Sequence, residues 1–321
     1  MVDKVLLLCD GGKGIGFGHY SRCKSLSDYF FSNGLESKLI CNWIGPSKPE
    51  PIEHFNWQAQ KKLERILSDA RIVLVDSYNV NSDQFEFISE HIDKLIVIDD
   101  YRRLDDFKAD LVVNPNVYGH KIEYNNNSIG GSDYVILRES FRKNDSTKEV
   151  SNELNRILVT LGGSDYRNLI PKLIKSFSEF NYTYEVVCAS DEYAHEISNQ
   201  FNAKNVVLHG YLNASQMKNL MKGCDLAISA CGQTLHELAR VGCPTIGIVI
   251  DKDQKLNAKS YQDTGFLNNP IQWDNPNLQS KLLKRIEKMK SYDTRLKYSL
   301  KGPKIIDGMG VNRLMELVVG L

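Results

Sequence analysis

The chain has 321 residues, 42% of them apolar, and 40 Lys+Arg balance 40 Asp+Glu to a formal net charge of zero. That length holds one large domain or two ordinary ones, with enough apolar material for full cores. The balanced charge argues against a partner held mainly by electrostatics, such as nucleic acid or an anionic membrane.

The opening "MVDKVLLLCD" is too short an apolar run for a signal peptide. No later run approaches the roughly 18 residues of a membrane span. The expectation is a cytoplasmic protein that meets neither membrane nor nucleic acid. The seven cysteines are odd in number, scattered and without a CxxC pair. They read as reduced thiols, with Cys9 and Cys188 acting as small hydrophobes in apolar runs. No His/Cys pair has ligand spacing, so no metal site is expected.

Apolar runs then alternate with helical patterns in chain order. In the first half they are "KVLLLCD", "SKLICNW", "RIVLVDS", "KLIVIDD", "DLVVNP" and "DYVILR". In the second half they are "RILVTLG", "TYEVVCAS", "NVVLHG", "DLAISAC" and "CPTIGIVI". Continuous runs of this kind predict strands buried on both faces, as in parallel sheets, with one helix between each pair. The strand–glycine turn–helix opening occurs twice, at "KVLLLCDGGKGIGFGH" and at "RILVTLGGSDYRN". Between them lies the polar stretch "RKNDSTKEVSNELN". The chain is therefore divided near Asp145 to Asn152 into residues 1–148 and 149–321. Each half is predicted to be a Rossmann-like doubly wound α/β domain, with a cleft between them and ligands at the C-terminal ends of the strands. The final "DGMGVNRLMELVVGL" has the spacing of an amphipathic helix packed on a domain, with a return to the first domain as one option.

Five glycines fall between Gly11 and Gly18, just before His19. The loop fits neither standard phosphate fingerprint. After Gly12 and Gly14 the third glycine position is Phe17, after Gly14 and Gly16 it is His19, and no Gly-Lys-Ser/Thr follows. A dehydrogenase or P-loop reading is therefore weak. The loop instead delivers His19 to a helix start, whose dipole disfavours a protonated ring, and a neutral imidazole is a general base. A packed or capping histidine is the competing reading.

In the second half, "DLAISACGQTLHELARVGCPTIGI" predicts a buried strand, a small-residue turn and a helix. The amides of Cys231, Gly232, Gln233 and Thr234 stand at that helix start, where a diphosphate can bind. Glu237 lies one turn on. It is either the partner of Thr234 in a capping box or a carboxylate accepting two ribose hydroxyls. His236 is expected to be an exposed helix residue. Asp10, Asp76, Asp99 and Asp100 end strands. Asp10 can orient the imidazole or simply close a turn, and the other three read as turn caps more readily than as a metal site.

The strand–small turn–"T-x-x-E"–"G-x-P" pattern resembles the nucleotide-sugar site of GT-B enzymes, including the MurG branch. The stretches "GIGFGHYSRC", "VDSY", "VIDD", "VNPN", "LGGSD" and "DKDQKLNA" narrow the resemblance, over about Lys4 to Gly265, to the PseG family of pseudaminic acid pathway hydrolases. The resemblance implies His19 as general base, with Gly16, Gly18, Arg22 and Tyr78 contacting substrate. It also implies that Gly162, Gly163 and Asn168 form a second glycine loop, and that Gln254 lines the sugar side. Asp253 stands where that family has Asn, so the sugar's identity is the least constrained expectation.

The activity so implied is cleavage of UDP-2,4-diacetamido-2,4,6-trideoxy-L-altrose to UDP and free sugar by a monomer. His19 deprotonates water, C1 inverts, and no metal or cofactor is needed because UDP leaves readily. The rival readings are a GT-B glycosyltransferase using a related donor and a non-catalytic nucleotide-sugar binder.

Overall fold

The computed structural model describes residues 4–45, 53–143, 148–163, 165, 167–177 and 181–320. Residues 144–147 of the expected linker lie outside them. The chain forms two compact units, Met1–Glu139 together with Gly308–Leu321, and Ser140–Asp307.

The first unit runs β1 (Val5–Gly12), α1 (Gly18–Ser32), β2 (Ser37–Ile44), β3 (Glu53–His54), α2 (Gln60–Leu67), β4 (Ile72–Asp76), α3 (Ser82–Glu90), β5 (Lys94–Ile98), β6 (Leu111–Asn114) and β7 (Ser128–Gly130). The strands pair in the order β3-β2-β1-β4-β5-β6-β7, every pairing parallel. Every residue of β1 is buried, and its side chains alternate between two cores, as period-2 geometry requires. Val5, Leu7 and Cys9 join Leu26 and Phe30 of α1 on one face. Leu6 and Leu8 join Trp57, Leu63 and Phe85 on the other.

The second unit runs α4 (Glu139–Arg142), β8 (Arg156–Thr160), α5 (Ile170–Phe177), β9 (Thr183–Val187), α6 (Asp191–Gln200), β10 (Val206–His209), α7 (Ala214–Gly223), β11 (Leu226–Ala230), α8 (Gln233–Val241), β12 (Thr245–Val249), α9 (Gln254–Asp263), β13 (Ile271–Gln272), α10 (Leu278–Met289) and α11 (Tyr292–Ile305). Its parallel sheet has the order β10-β9-β8-β11-β12-β13. In both units the first strand sits between strands reached by crossovers in opposite directions. That is the Rossmann switch point, where ligands meet the C-terminal ends of the strands.

Two expectations differ from the structure. The run "DYVILR" is buried at Val135, Ile136 and Leu137 but is not a strand: it is a short turn of 3-10 helix, Ser132–Tyr134, followed by irregular chain. Its burial comes from α12 (Gly310–Gly320), which packs so closely that a Cβ on Gly310 would lie 2.2 Å from the Val135 carbonyl oxygen. The partition also differs from 1–148 and 149–321. Val311, Leu314 and Val318 of α12 enter the first unit's core beside Val5, Leu7 and Cys9, and Arg313 donates to the Asp133 carbonyl (2.8 Å). At the other boundary, Arg240 of α8 donates to the carbonyls of Phe141 (3.2 Å) and Arg142 (3.3 Å), which ties α4 to the second unit. Among the described residues no helix is long and apolar enough to cross a membrane.

Candidate functional site

The glycine loop leaves β1 through a tight backbone turn. Gly12 has φ +99°, and a Cβ there would stand 2.0 Å from the Ile44 carbonyl oxygen, so only glycine fits. The Gly16 amide returns to the Gly12 carbonyl (2.8 Å). Helix α1 then begins at Gly18 with no side-chain cap and no acidic residue in its first turn. His19 is its second residue and is buried. Gly16 (φ +86°) and Gly18 border open space, with nothing within 4 Å of an added Cβ.

The imidazole is held by a carboxylate far away in sequence. His19 Nδ1 lies 2.6 Å from Asp76 Oδ1, at the C-terminal end of the neighbouring strand β4. Arg22, one turn along α1, binds the same carboxylate through Nε (2.8 Å) and Nη2 (2.9 Å). It binds Asp100, just beyond β5, through Nη1 (2.8 Å) and Nη2 (3.1 Å). Asp100 also accepts from Asn116 Nδ2 (2.5 Å) and from the Tyr78 hydroxyl. The Tyr78 ring stands edge-on to His19 at 4.4 Å. All four charged or titratable members, His19, Arg22, Asp76 and Asp100, are buried.

Burial pushes the Asp76 carboxyl upward, but the Arg22 guanidinium and His19 outweigh it and hold it below its ordinary value. Asp100 is held far below its ordinary range, because Arg22 and the Tyr78 hydroxyl overcome the same burial. Burial lowers Arg22, and the two carboxylates more than reverse this. Asp76 is therefore ionised, so the 2.6 Å contact requires the proton on His19 Nδ1. Nε2 then carries the lone pair, and it has no hydrogen-bond partner among the described residues. With the ring neutral, one guanidinium and two carboxylates leave the cluster at net −1. A proton arriving at Nε2 brings it to zero. This is the electrostatic arrangement of a carboxylate-oriented general base.

Asp76 was read from sequence as a turn cap, and the structure makes it the partner of His19. Asp10 is not that partner. It is fully buried and accepts from the Ser77 hydroxyl, Asn79 Nδ2 (3.0 Å) and Gln58 Nε2 (3.2 Å). Asp99 does cap a turn, accepting from the amides of Tyr101 (3.0 Å) and Arg102 (2.6 Å). Arg22 turns its guanidinium to the two carboxylates, so what it does at the site is hold His19 and Asp76 in place. The available signal was three aspartates ending successive apolar runs. Which of them adjoined His19 depended on the strand order.

In the second unit Gly162 (φ +88°), Gly163 and Asn168 (φ +52°) follow β8; Ser164 and Tyr166 between them lie outside the described residues. Asp165 accepts from the amides of Leu169 and Ile170 (both 2.8 Å) and opens α5. Across the switch point, α8 begins after β11 with Gly232 as its N-cap residue and no side-chain cap. Gly232, Gln233 and Thr234 thus form its uncapped start. Cys231 does not offer its amide there, because that N–H points to the Ile248 carbonyl (3.2 Å) and to Gln254 Oε1 (3.1 Å). Gln254 Oε1 also accepts from the Ile250 amide (3.2 Å), so it ties together the turns after β11 and β12. Asn257, three residues along α9, donates to the Cys231 carbonyl (2.9 Å). Asp253, exposed, immediately precedes α9. The capping-box reading of Thr234 and Glu237 does not hold, since the N-cap is Gly232 and Glu237 is the fifth helical residue, buried at 2% exposure. His236 is not exposed either. It is buried, with Nδ1 2.8 Å from the Tyr261 hydroxyl.

Residues 156–304 match the glycosyltransferase family 28 C-terminal domain. A Helicobacter pylori protein described as pseudaminic acid cytidylyltransferase and UDP-2,4-diacetamido-2,4,6-trideoxy-beta-L-altropyranose hydrolase is 27% identical over 82% of this chain. The chain spans 47% of that relative, about half its length. The spore coat polysaccharide biosynthesis protein SpsG of Bacillus subtilis is 24% identical over 98% of this chain and 97% of its own length. Among solved structures, Acinetobacter baumannii MurG superposes with a TM-score of 0.70 at 12% identity, covering 99% of this chain and all of that one. Residues 156–304 are therefore a glycosyltransferase family 28 C-terminal domain, in a chain of GT-B-like fold, with two Rossmann-like parallel-sheet units, that resembles the pseudaminic acid pathway hydrolases.

Proposed function

We propose that the chain hydrolyses a UDP-sugar of the UDP-2,4-diacetamido-2,4,6-trideoxy-L-altrose type, releasing UDP and the free sugar with inversion at C1. The observation that carries this reading is the buried His19–Asp76 pair, with Nδ1 committed to the carboxylate and Nε2 left for a water. The Helicobacter pylori relative, whose name ends in this hydrolase activity, supports the choice of substrate.

Nε2 takes a proton from water as the water oxygen bonds to C1. The bond from C1 to the diphosphate oxygen breaks, and its electron pair leaves with UDP. The imidazolium that forms rests against Asp76, whose charge stabilises it. The uncapped start of α8 is assigned to the diphosphate, where helix amides and the positive end of the dipole stabilise developing negative charge. Gly162, Gly163, Asn168 and Glu237 are assigned to substrate binding, with Tyr78 beside the base. Gln254 and Arg22 hold these groups in place.

Glycosyl transfer is the second reading, favoured by the family 28 match and the likeness to MurG. NMR of the purified protein with the UDP-sugar and no acceptor separates the two. Release of UDP and inverted free sugar is expected, absent in His19→Ala while that variant still binds UDP. An intact but bound substrate would favour transfer. Equal loss of turnover and UDP binding in His19→Ala would remove the general-base assignment.

A further inference from the structure

At the opposite end of the second unit's sheet from α8's start lies a cavity of about 320 Å³. It opens beside Thr245 at the beginning of β12, between the last turns of α10 and the first turns of α11. β12 separates it from the Ile250–Gln254 turn by about 13 Å, at the usual rise per strand residue.

Its lining is one-sided in charge. Arg285, Lys288 and Lys297 contribute three cations, and no Asp or Glu lines the cavity. Thr294 and Tyr298 add hydroxyls, and Met289 forms an apolar wall. Arg285 is half-buried, and its Nη1 is shut off from solvent with no hydrogen-bond partner. Burial lowers its pKa with no opposing carboxylate. Nearby Glu287 is turned to Lys290 (2.7 Å). The C-terminal end of α10 offers roughly half a negative charge, against three positive ones. A desolvated, unpaired guanidinium is unfavourable, and a planar donor fork facing a polar cavity matches a phosphate oxygen pair.

We propose that this cavity is an anion site for a small phosphorylated metabolite, distinct from the assigned nucleotide site at the start of α8. Its volume lies at the lower end of small-ligand sites, large enough for a diphosphate. The strand β12 and helices α8 and α11 connect it to the site at the other end of the sheet, which makes it a place from which a phosphorylated effector can act.

Sodium pyrophosphate is the probe, and the methyl resonance of ¹³C-labelled Met289 in the full chain is the readout, because it reports this cavity and not the α8 start. Saturable movement of that resonance is expected, absent with sodium chloride at matched ionic strength. In Arg285→Gln/Lys288→Gln the affinity falls roughly tenfold or more, as loss of charge-assisted hydrogen bonds requires. The same variant, without anion, melts no lower than the parent, since the side chain removed has no partner. Should it fail to fold, Lys297→Gln on the exposed rim supplies the same test. A Met289 resonance that stays still, follows chloride equally, or moves alike in parent and variants overturns the proposal.

Discussion

At the residue scale, the base depends on a side chain 57 positions away. Asp76→Asn leaves a neutral amide against Nδ1 and removes the requirement that this nitrogen carry the proton. It is expected to lower kcat by roughly 10²–10⁴-fold with KM little changed. ¹⁵N NMR of the His19 ring should show the Nδ1–H form giving way to a mixture. An unchanged tautomer would make Asp76 a purely structural residue. Gly18 permits a second test. Its φ lies outside the left-handed region, and a Cβ would meet nothing within 4 Å. Gly18→Ala should fold at least as well, since alanine favours a helix by up to ~1 kcal/mol. It should raise KM if the sugar passes over this loop. Unchanged KM would mean that the glycine serves only the backbone. From sequence, His19 was legible because glycines are unfavourable unless the backbone needs them. Asp76 and Asp100 were legible only as strand ends.

At the element scale, long apolar runs were enough to predict ten of the strands, because a strand buried on both faces has no polar alternation to confuse it. The two- and three-residue edge strands β3, β7 and β13 carry no such signal. "DYVILR" failed for the opposite reason. It is apolar because α12 covers it, and burial by a helix leaves the same composition as burial in a sheet. Helix α12 is thus part of the first unit's core rather than an appendage. Leu314→Ala, at a position 2% exposed, should destabilise that unit by about 2–5 kcal/mol. Hydrogen exchange should quicken in β1 and β4 while β8 and β11 keep their protection. Equal loss in both sheets would contradict the assignment of α12.

At the scale of the whole molecule, stability should fall away on both sides of neutrality. Asp76 and Asp100 have folded values below their unfolded ones. The unfolded chain binds more protons as pH drops below about 4, so their contribution is complete above that pH and is lost under it. The seven cysteines are all free and buried. Burial raises Cys188 to about 11 and Cys224 and Cys243 to about 12, and pushes Cys9, Cys23 and Cys231 upward as well. Unfolded thiols ionise near 8.5, so this contribution is complete below that pH and declines as pH rises past it. The urea midpoint should therefore drop between pH 7 and pH 10. A thiol reagent should react slowly with the native chain and count seven thiols in denaturant. A midpoint unchanged at pH 10, or rapid native reaction, would show the thiols to be accessible.

The sequence by itself determined the repeated strand–glycine turn–helix rhythm, the parallel sheets and the prominence of His19, because each is written in local composition and spacing. Only the tertiary structure decided which carboxylate meets the imidazole, that Gly232 rather than Thr234 begins α8, that His236 is buried, and that the last helix returns to the first unit. Those depend on strand order and on packing between segments far apart in the chain. The contacts that settle them are long-range, and no window of sequence contains both partners.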